Sequence, residues 1–229
     1  MQISHASVAE IMGQAGYDWV AVDMEHGAVS VHQLPDLFRA LELGGTLPLV
    51  RIAHGHPKDC KLALDAGAGG VIVPMVETAS QLIAVRDACR WPPAGTRGVG
   101  FSRANLFGKH FKAYREEAQA PLLVVMIENS RAVECLEKIL AVDRLDAILI
   151  GPYDLSASIG RTGQFDDPGF IASMDRIRTL CHQAKTPCGV HVVMPDADEF
   201  KQRINEGYRF IVYSIDSVFL NTASPSPNL

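Results

Sequence analysis

The chain has 229 residues, 48% of them hydrophobic, and a formal charge of −5 from 21 basic and 26 acidic side chains. That suits one compact α/β domain; the charges are mixed, with no basic stripe for nucleic acid and no apolar run of the ~18 residues that a membrane span requires. Five cysteines (Cys60, Cys89, Cys135, Cys181 and Cys188) are odd in number and form no CxxC pair, which speaks against a disulfide framework or a structural zinc site; without a signal-peptide pattern, a reducing cytoplasm is the expected setting.

In chain order, Met1–Ile3 reads as the tail of a first strand. A helix follows, with Ser7 and Glu10 spaced as a capping box, and its end is expected at Gly16. Trp19–Asp23 is the next strand. Ser30 with Gln33 opens another helix, expected to end at Gly44, and Pro48–Ile52 is again extended. After a helix ending at Gly67 comes the strand Gly70–Pro74, then a helix opened by Thr78 and Gln81. The remaining strands are Leu122–Glu128, Ala147–Gly151, Cys188–Val193 and Phe210–Ser214. None alternates cleanly with polar residues, as expected of strands buried on both faces of a parallel sheet.

Strand–helix alternation at this density predicts a (β/α)8 TIM barrel with a shortened first strand and, over Asp216–Thr222, a shortened last helix. A doubly wound sheet is the competitor, but neither GxGxxG nor GxxxxGK[ST] occurs. Residues 1–222 are taken as the barrel and 223–229, rich in Ser and Pro, as a disordered tail. One long interruption, Trp91–Ala120, is expected to serve function or subunit contact.

Barrel chemistry gathers where strands end. Asp23-Met24-Glu25-His26, Arg51, Glu128-Asn129, Gly151-Pro152-Tyr153-Asp154 and Tyr213-Ser214-Ile215-Asp216 all fall there. Glu128 and Asp154 either share a hard divalent cation such as Mg2+ or Mn2+, or act as helix caps and ion-pair members. Arg51 either holds a carboxylate or developing enolate charge, or forms a salt bridge across the barrel mouth, Asp23 being a partner within reach. Asp23 and His26 could form a carboxylate-oriented imidazole, the alternative being a solvated loop histidine. His54, His56, His110 and His182 read as ordinary; His191 lies inside a strand and its direction depends on register. No lysine falls within a predicted strand, so a Schiff-base mechanism has no obvious nucleophile.

Taken together, Tyr17-Asp-Trp-Val-Ala-Val-Asp-Met-Glu-His-Gly27, Pro48-Leu-Val-Arg51, Val73-Pro-Met-Val76, Pro92-Pro-Ala-Gly-Thr-Arg-Gly-Val-Gly100, Ile127-Glu128 and Ile150-Gly-Pro-Tyr-Asp-Leu-Ser-Ala-Ser-Ile-Gly160 resemble the HpcH/HpaI aldolase family. The resemblance implies a phosphoenolpyruvate/pyruvate-type barrel and a class II aldol reaction on 4-hydroxy-2-oxo acids, with an aldehyde as second partner, in aromatic or sugar acid catabolism. Carried over by position, it implies Glu128 and Asp154 as ligands of Mg2+ or Mn2+ (Co2+ is also admissible). Arg51 would contact pyruvate, Asp23 and His26 would be the acid/base dyad, and Gly151, Pro152, Tyr153 and Asp154 would bind the substrate carboxylate. A trimer or hexamer is implied too, and Arg103–Gly108 resembles a loop that sugar-acid aldolases carry near the site. Three features depart from the pattern: Met126 where family members often have Gln, the short first strand, and the short last helix. The competing readings are a citrate-lyase-like acyl-CoA lyase, for which Arg97–Lys112 offers basic residues, and an inactive truncated relative.

Overall fold

A computed structural model describes residues 1–225. Seven strands form one parallel sheet in sequential order: β1 (Trp19–Asp23), β2 (Leu47–Arg51), β3 (Gly70–Val73), β4 (Leu122–Ile127), β5 (Ala147–Ile150), β6 (Cys188–Val192) and β7 (Phe210–Tyr213). The helices are α1 (Ala6–Gln14), α2 (Leu34–Leu43), α3 (Pro57–Asp65), α4 (Ala79–Cys89), α5 (Phe111–Glu117), α6 (Ser130–Glu134), α7 (Leu136–Leu140), α8 (Pro152–Ser158), α9 (Pro168–Ala184), α10 (Ala197–Asn205) and α11 (Asp216–Ala223). A 3-10 turn occupies Arg103–Gly108.

This is a TIM-type α/β barrel built from seven strands. Met1–Ile3, expected as an eighth, is not a strand among the described residues. The Met1 amine donates to the Ala21 carbonyl, and the Met1 carbonyl accepts from the Asp23 N–H, so one residue does lie along β1. The ladder goes no further because the Asp216 carboxylate takes the next two backbone N–H groups, those of Gln2 and Ile3. Between β1 and β7 the interior is bridged by Trp19 stacked on Phe210, ring centroids 4.4 Å apart and 6° from parallel. Lacking a partner on its outer side, β7 is only half-buried along its whole length.

The layers follow from strand alternation. Ile72, Val124, Met126, Ala147 and Leu149 point into the barrel with Trp19, Ala21, Phe210 and Val212. Their neighbours, among them Val22, Val50, Val71, Val125 and Ile148, face outward and pack against helix residues such as Leu34, Phe38, Leu41 and Leu64. Helix α2 presses close to α1: a Cβ at Gly44 would sit 2.2 Å from the Gly13 carbonyl oxygen.

Local signals held unevenly. Thr78 and Gln81 form the capping box expected of them. Helix α1 instead starts two residues earlier, with the His5 ring accepting from the Ser7 N–H. Ser30 and Gln33 form a turn before α2, the Gln33 side chain accepting from the Ser30 N–H. Gly16 and Gly67 are left-handed as expected, whereas Gly44 is right-handed and Gly45 takes that role. Helix α11 takes in Ala223, the first residue assigned to the tail; 226–229 lie outside the described residues. No helix among the described residues is long and apolar enough to cross a membrane.

The segment 91–120 connects α4 to β4, and so lies where strands begin. Arg103 donates to the Ala66 carbonyl and pairs with Glu42, fixing Arg103–Gly108 beside the starts of β2 and β3. Within its own chain that segment is therefore at the opposite end of the barrel from the strand-end carboxylates. The expectation that it lies near the site does not hold inside one chain, and the same placement takes the Arg97–Lys112 basic residues away from that site.

Candidate active site

The C-terminal ends of the strands surround a cavity of about 300 Å³. Its lining includes Asp23, His26, Arg51, Glu128, Gly151, Pro152, Tyr153 and Asp154, so every residue to which the family resemblance gave a metal, acid/base or substrate role meets at one cavity. They meet because β1, β2, β4 and β5 are parallel and in sequential order, which brings each strand-end residue to the same face.

Asp23 and Arg51 are register partners at the ends of β1 and β2. The guanidinium binds the carboxylate through both edges of its fork, Nε to Oδ1 at 2.9 Å and Nη2 to Oδ2 at 2.6 Å. Asp23 also accepts from the Gln2 side-chain amide at 3.0 Å and from the backbone N–H groups of Glu25 and His26. Burial works against the charge, yet hydrogen bonds from Arg51 and Gln2 prevail and hold the Asp23 carboxyl at about 2. The remaining Arg51 nitrogen, Nη1, lies 3.1 Å from Glu25 Oε2.

Asp23 and the His26 ring, expected as a dyad, are not in hydrogen-bond contact here. Asp23 receives the backbone N–H of His26, not its ring, because its oxygens are taken up by Arg51, Gln2 and two backbone amides. The ring is exposed at the cavity mouth, and its Nε2 approaches Glu25 at 4.0 Å. Glu25 carries no role in the sequence reading; its signal is that it is a second acid beside Asp23 at the same strand end.

Across the cavity Glu128 is 3% exposed, with Oε2 accepting from the Met75 N–H at 2.9 Å. Burial raises its carboxyl to about 7; the Met75 bond and Arg51 oppose this, and the charges of Glu25 and Asp154 add to it. Asp154 is exposed in the first turn of α8, behind Pro152 and the N-cap Gly151. Gly151 is required to be small: a Cβ there would lie 2.4 Å from Glu128 Oε1.

Among the described residues, no three His, Cys, Asp or Glu side chains come together as a metal cage. Two carboxylates, Glu128 and Asp154, do line one cavity, and a magnesium-type ion needs no more, since it keeps several waters or substrate oxygens. The raised Glu128 fits this set: a carboxylate pushed up by burial, with neighbouring acids adding to it, is short of positive charge. Tyr153 stands half out of the cavity against Phe165, ring centroids 5.0 Å apart. The site also contains His191 and Ser214, on the wall formed by β6 and β7. Pairing of His191 with Val212 settles the register that sequence left open and turns His191 inward.

A family model described as HpcH/HpaI aldolase/citrate lyase matches residues 1–223. The chain is 37% identical over 226 residues to a hydroxypyruvate/pyruvate aldolase of Roseobacter denitrificans, covering 97% of this chain and 87% of that protein. It is 35% identical to a 2-dehydro-3,6-dideoxy-6-sulfogluconate aldolase of Pseudomonas putida, over 94% and 84% of the two chains. A crystal structure of an HpcH/HpaI aldolase/citrate lyase family protein from Burkholderia cenocepacia superposes with a TM-score of 0.91 at 32% identity, covering 97% of this chain and 89% of that one.

Proposed function

This chain belongs to the HpcH/HpaI aldolase/citrate lyase family and is an enzyme of the aldolase type, and we propose that it is a metal-dependent class II aldolase that cleaves or forms 4-hydroxy-2-oxo acids through a pyruvate-type enolate. The observation that carries the reading is the convergence of Glu128, Asp154 and Arg51 on one cavity of about 300 Å³, a size suited to a small keto acid.

Glu128 and Asp154 would hold Mg2+ or Mn2+, with Co2+ a further fit, the remaining positions being left to water and substrate oxygens. When bound, such an ion supplies Lewis acidity to the keto oxygen of the substrate. Arg51 is already oriented by Asp23 and Glu25, and it would meet the negative charge that grows on that oxygen. The substrate carboxylate would lie against Gly151–Asp154, where the first-turn N–H groups of α8 have no intrahelical partner. His26, free at the mouth, would move the proton of the 4-hydroxyl, with Glu25 rather than Asp23 the nearer acid to its ring.

The relatives' names support a 2-oxo acid donor and an aldehyde acceptor for this chain as well. An acyl-CoA lyase loses its support within the chain, because the basic segment lies at the other end of the barrel. A trimer or hexamer fits the strongly exposed Phe101 and Phe107 on that segment, side chains that assembly would cover.

The reading is tested by following pyruvate release from a panel of 4-hydroxy-2-oxo acids, with a CoA-thioester assay run alongside. Turnover should stop with EDTA and return with Mn2+, Mg2+ or Co2+. Absence of pyruvate release with every acid and every metal would overturn it.

A further inference from the structure

Pyruvate becomes a nucleophile only when a proton leaves C3, so a base must lie within reach of that carbon. Glu128 and Asp154 are taken up by the ion in the aldol reading. Asp23 is a weak base, its carboxylate held charged by Arg51 and Gln2, and Glu25 is paired with the same guanidinium. The His26 ring is exposed at the mouth. The cavity floor is apolar, formed by Ile72, Met126, Leu149 and Val212. The exception on that floor is His191, which enters from β6 beside Val212.

His191 Nε2 lies 3.3 Å from the Ser214 carbonyl oxygen. A carbonyl only accepts, so Nε2 holds the proton of the neutral ring and Nδ1 presents a lone pair. Nδ1 has no hydrogen-bond partner among the described residues, and it is not sealed from the cavity. Burial moves the His191 pKa below the ordinary histidine value; the Ser214 bond opposes this, and the charges of Arg51 and the Met1 amine add to it. The ring therefore stays neutral and able to accept a proton. Ser214 is itself fixed, left-handed at φ 59° with its N–H bound to the Val192 carbonyl, so the imidazole is held in one orientation.

We propose that His191 is a second catalytic base, which takes the C3 proton of the 2-oxo acid at Nδ1 while His26 serves the 4-hydroxyl. The inference rests on the aldolase reading above. The C3–H bond breaks and an N–H bond forms at Nδ1. The freed electron pair becomes the C2–C3 double bond, and the keto pair moves onto the oxygen that Arg51 meets. The ring is then a cation, and its Nε2–H bond to the Ser214 carbonyl strengthens as the charge arrives. In cleavage the enolate left by the departing aldehyde takes the proton back from Nδ1 and becomes pyruvate. The choice of C3 follows from the layout. Glu128, Asp154 and the start of α8 engage the carboxylate and keto oxygens on the β4–β5 side, which leaves the remaining carbon to the wall that carries His191.

The test measures deuterium exchange into C3 of pyruvate with metal-loaded wild type, His191→Leu and His191→Asn, and beside it single-turnover CO2 release from oxaloacetate. Loss of CO2 from oxaloacetate leaves the same enolate with no C3 deprotonation, so it bypasses the base. Exchange should fall by about 10²-fold or more in both variants, as for a lost general base, while CO2 release stays within about threefold of wild type. Asparagine keeps an N–H donor for the Ser214 carbonyl, so a merely structural role would be restored in His191→Asn. A readout independent of turnover is 15N NMR of the metal-free wild type at neutral pH, which should show His191 as the neutral Nε2–H tautomer. Exchange within about twofold of wild type in His191→Leu, recovery of exchange in His191→Asn, or parallel loss of exchange and CO2 release overturns the role and leaves the aldolase reading standing. An Nδ1–H tautomer does the same. Absence of exchange in the wild type with every metal defeats the aldolase reading, and the inference with it.

Discussion

Glu128 and Gly151 are in contact across the β4–β5 ladder, so closely that a methyl group at position 151 would fall 2.4 Å from Glu128 Oε1 and 2.6 Å from its Cγ. The glycine is therefore a wall against which the carboxylate is aimed, opposite the Met75 N–H that holds its other oxygen. Gly151 has φ −96°, which alanine adopts freely, so the substitution acts on Glu128 and not on the backbone. Gly151→Ala should weaken Mn2+ binding by about 10–100-fold, the range for a displaced metal-orienting contact, as read by calorimetric titration. Unchanged affinity would separate Glu128 from the ion.

The pH dependence of stability follows from the same carboxylate. Its folded value of about 7 lies above the ordinary 4.5, so the folded metal-free chain holds the proton more tightly than the unfolded one. Below pH 4.5 both states are protonated and nothing is lost. Stability falls as pH rises from 4.5 to about 7, and above that the cost is constant, on the order of 3 kcal/mol. Glu128→Gln should thus raise the Tm of metal-free protein at pH 8 and leave it nearly unchanged at pH 4.5. Saturating Mn2+ should stabilise the wild type at pH 8, by about 2.7 kcal/mol at a hundred times Kd, and not the variant.

Arg51 cannot be exchanged for another cation. Its fork spans both oxygens of Asp23 while Nη1 reaches Glu25, a geometry that a lysine ammonium does not reproduce. Arg51→Lys should lower kcat/KM for aldol cleavage by about 10²-fold or more, in line with the loss of a preorganised charge at the reacting oxygen. Asp23→Asn acts through Arg51, so it should cost roughly 3 kcal/mol of stability as a broken buried pair, measured by denaturant unfolding.

His26 and Asp23 should separate in their pH profiles. If Asp23 oriented the ring, Asp23→Asn and His26→Ala would alter the same limb of kcat/KM. The structure instead joins Asp23 to Arg51 and leaves the ring beside Glu25. His26→Ala should reduce cleavage by about 10²–10⁴-fold, Glu25→Gln should move the limb assigned to His26, and Asp23→Asn should leave that limb in place.

Much of this was legible in the sequence, for physical reasons. Strands buried on both faces leave continuous apolar runs, so β1 to β7 could be located within a residue or two. Parallel order then forces strand-end side chains together, which is why Asp23, Arg51, Glu128 and Asp154 could be grouped before any coordinates. Pairing within the group was not legible. Asp23 chose Arg51 over the His26 ring through register between β1 and β2, a contact between residues 28 apart. The inward face of His191 depended on its pairing with Val212, and the unpartnered Ser214 hydroxyl on a left-handed backbone that no local motif announces. Within its own chain Arg103–Gly108 lies where strands begin, and likeness of sequence carries no information about which end of the barrel a connection occupies. Nor was it legible that Asp216, 214 positions from Gln2, would take the backbone N–H groups of Gln2 and Ile3, which form no strand among the described residues.

In the proposed reaction Glu128 and Asp154 would hold an ion that promotes enolisation beside Arg51. Deuterium exchange into the C3 position of pyruvate, followed by mass spectrometry with no aldehyde present, reads that step alone. Exchange should require Mn2+ or Mg2+, vanish with EDTA, and fall by at least about 10²-fold in Glu128→Gln. Exchange that proceeds equally with EDTA, or at the wild-type rate in Glu128→Gln, would contradict the account.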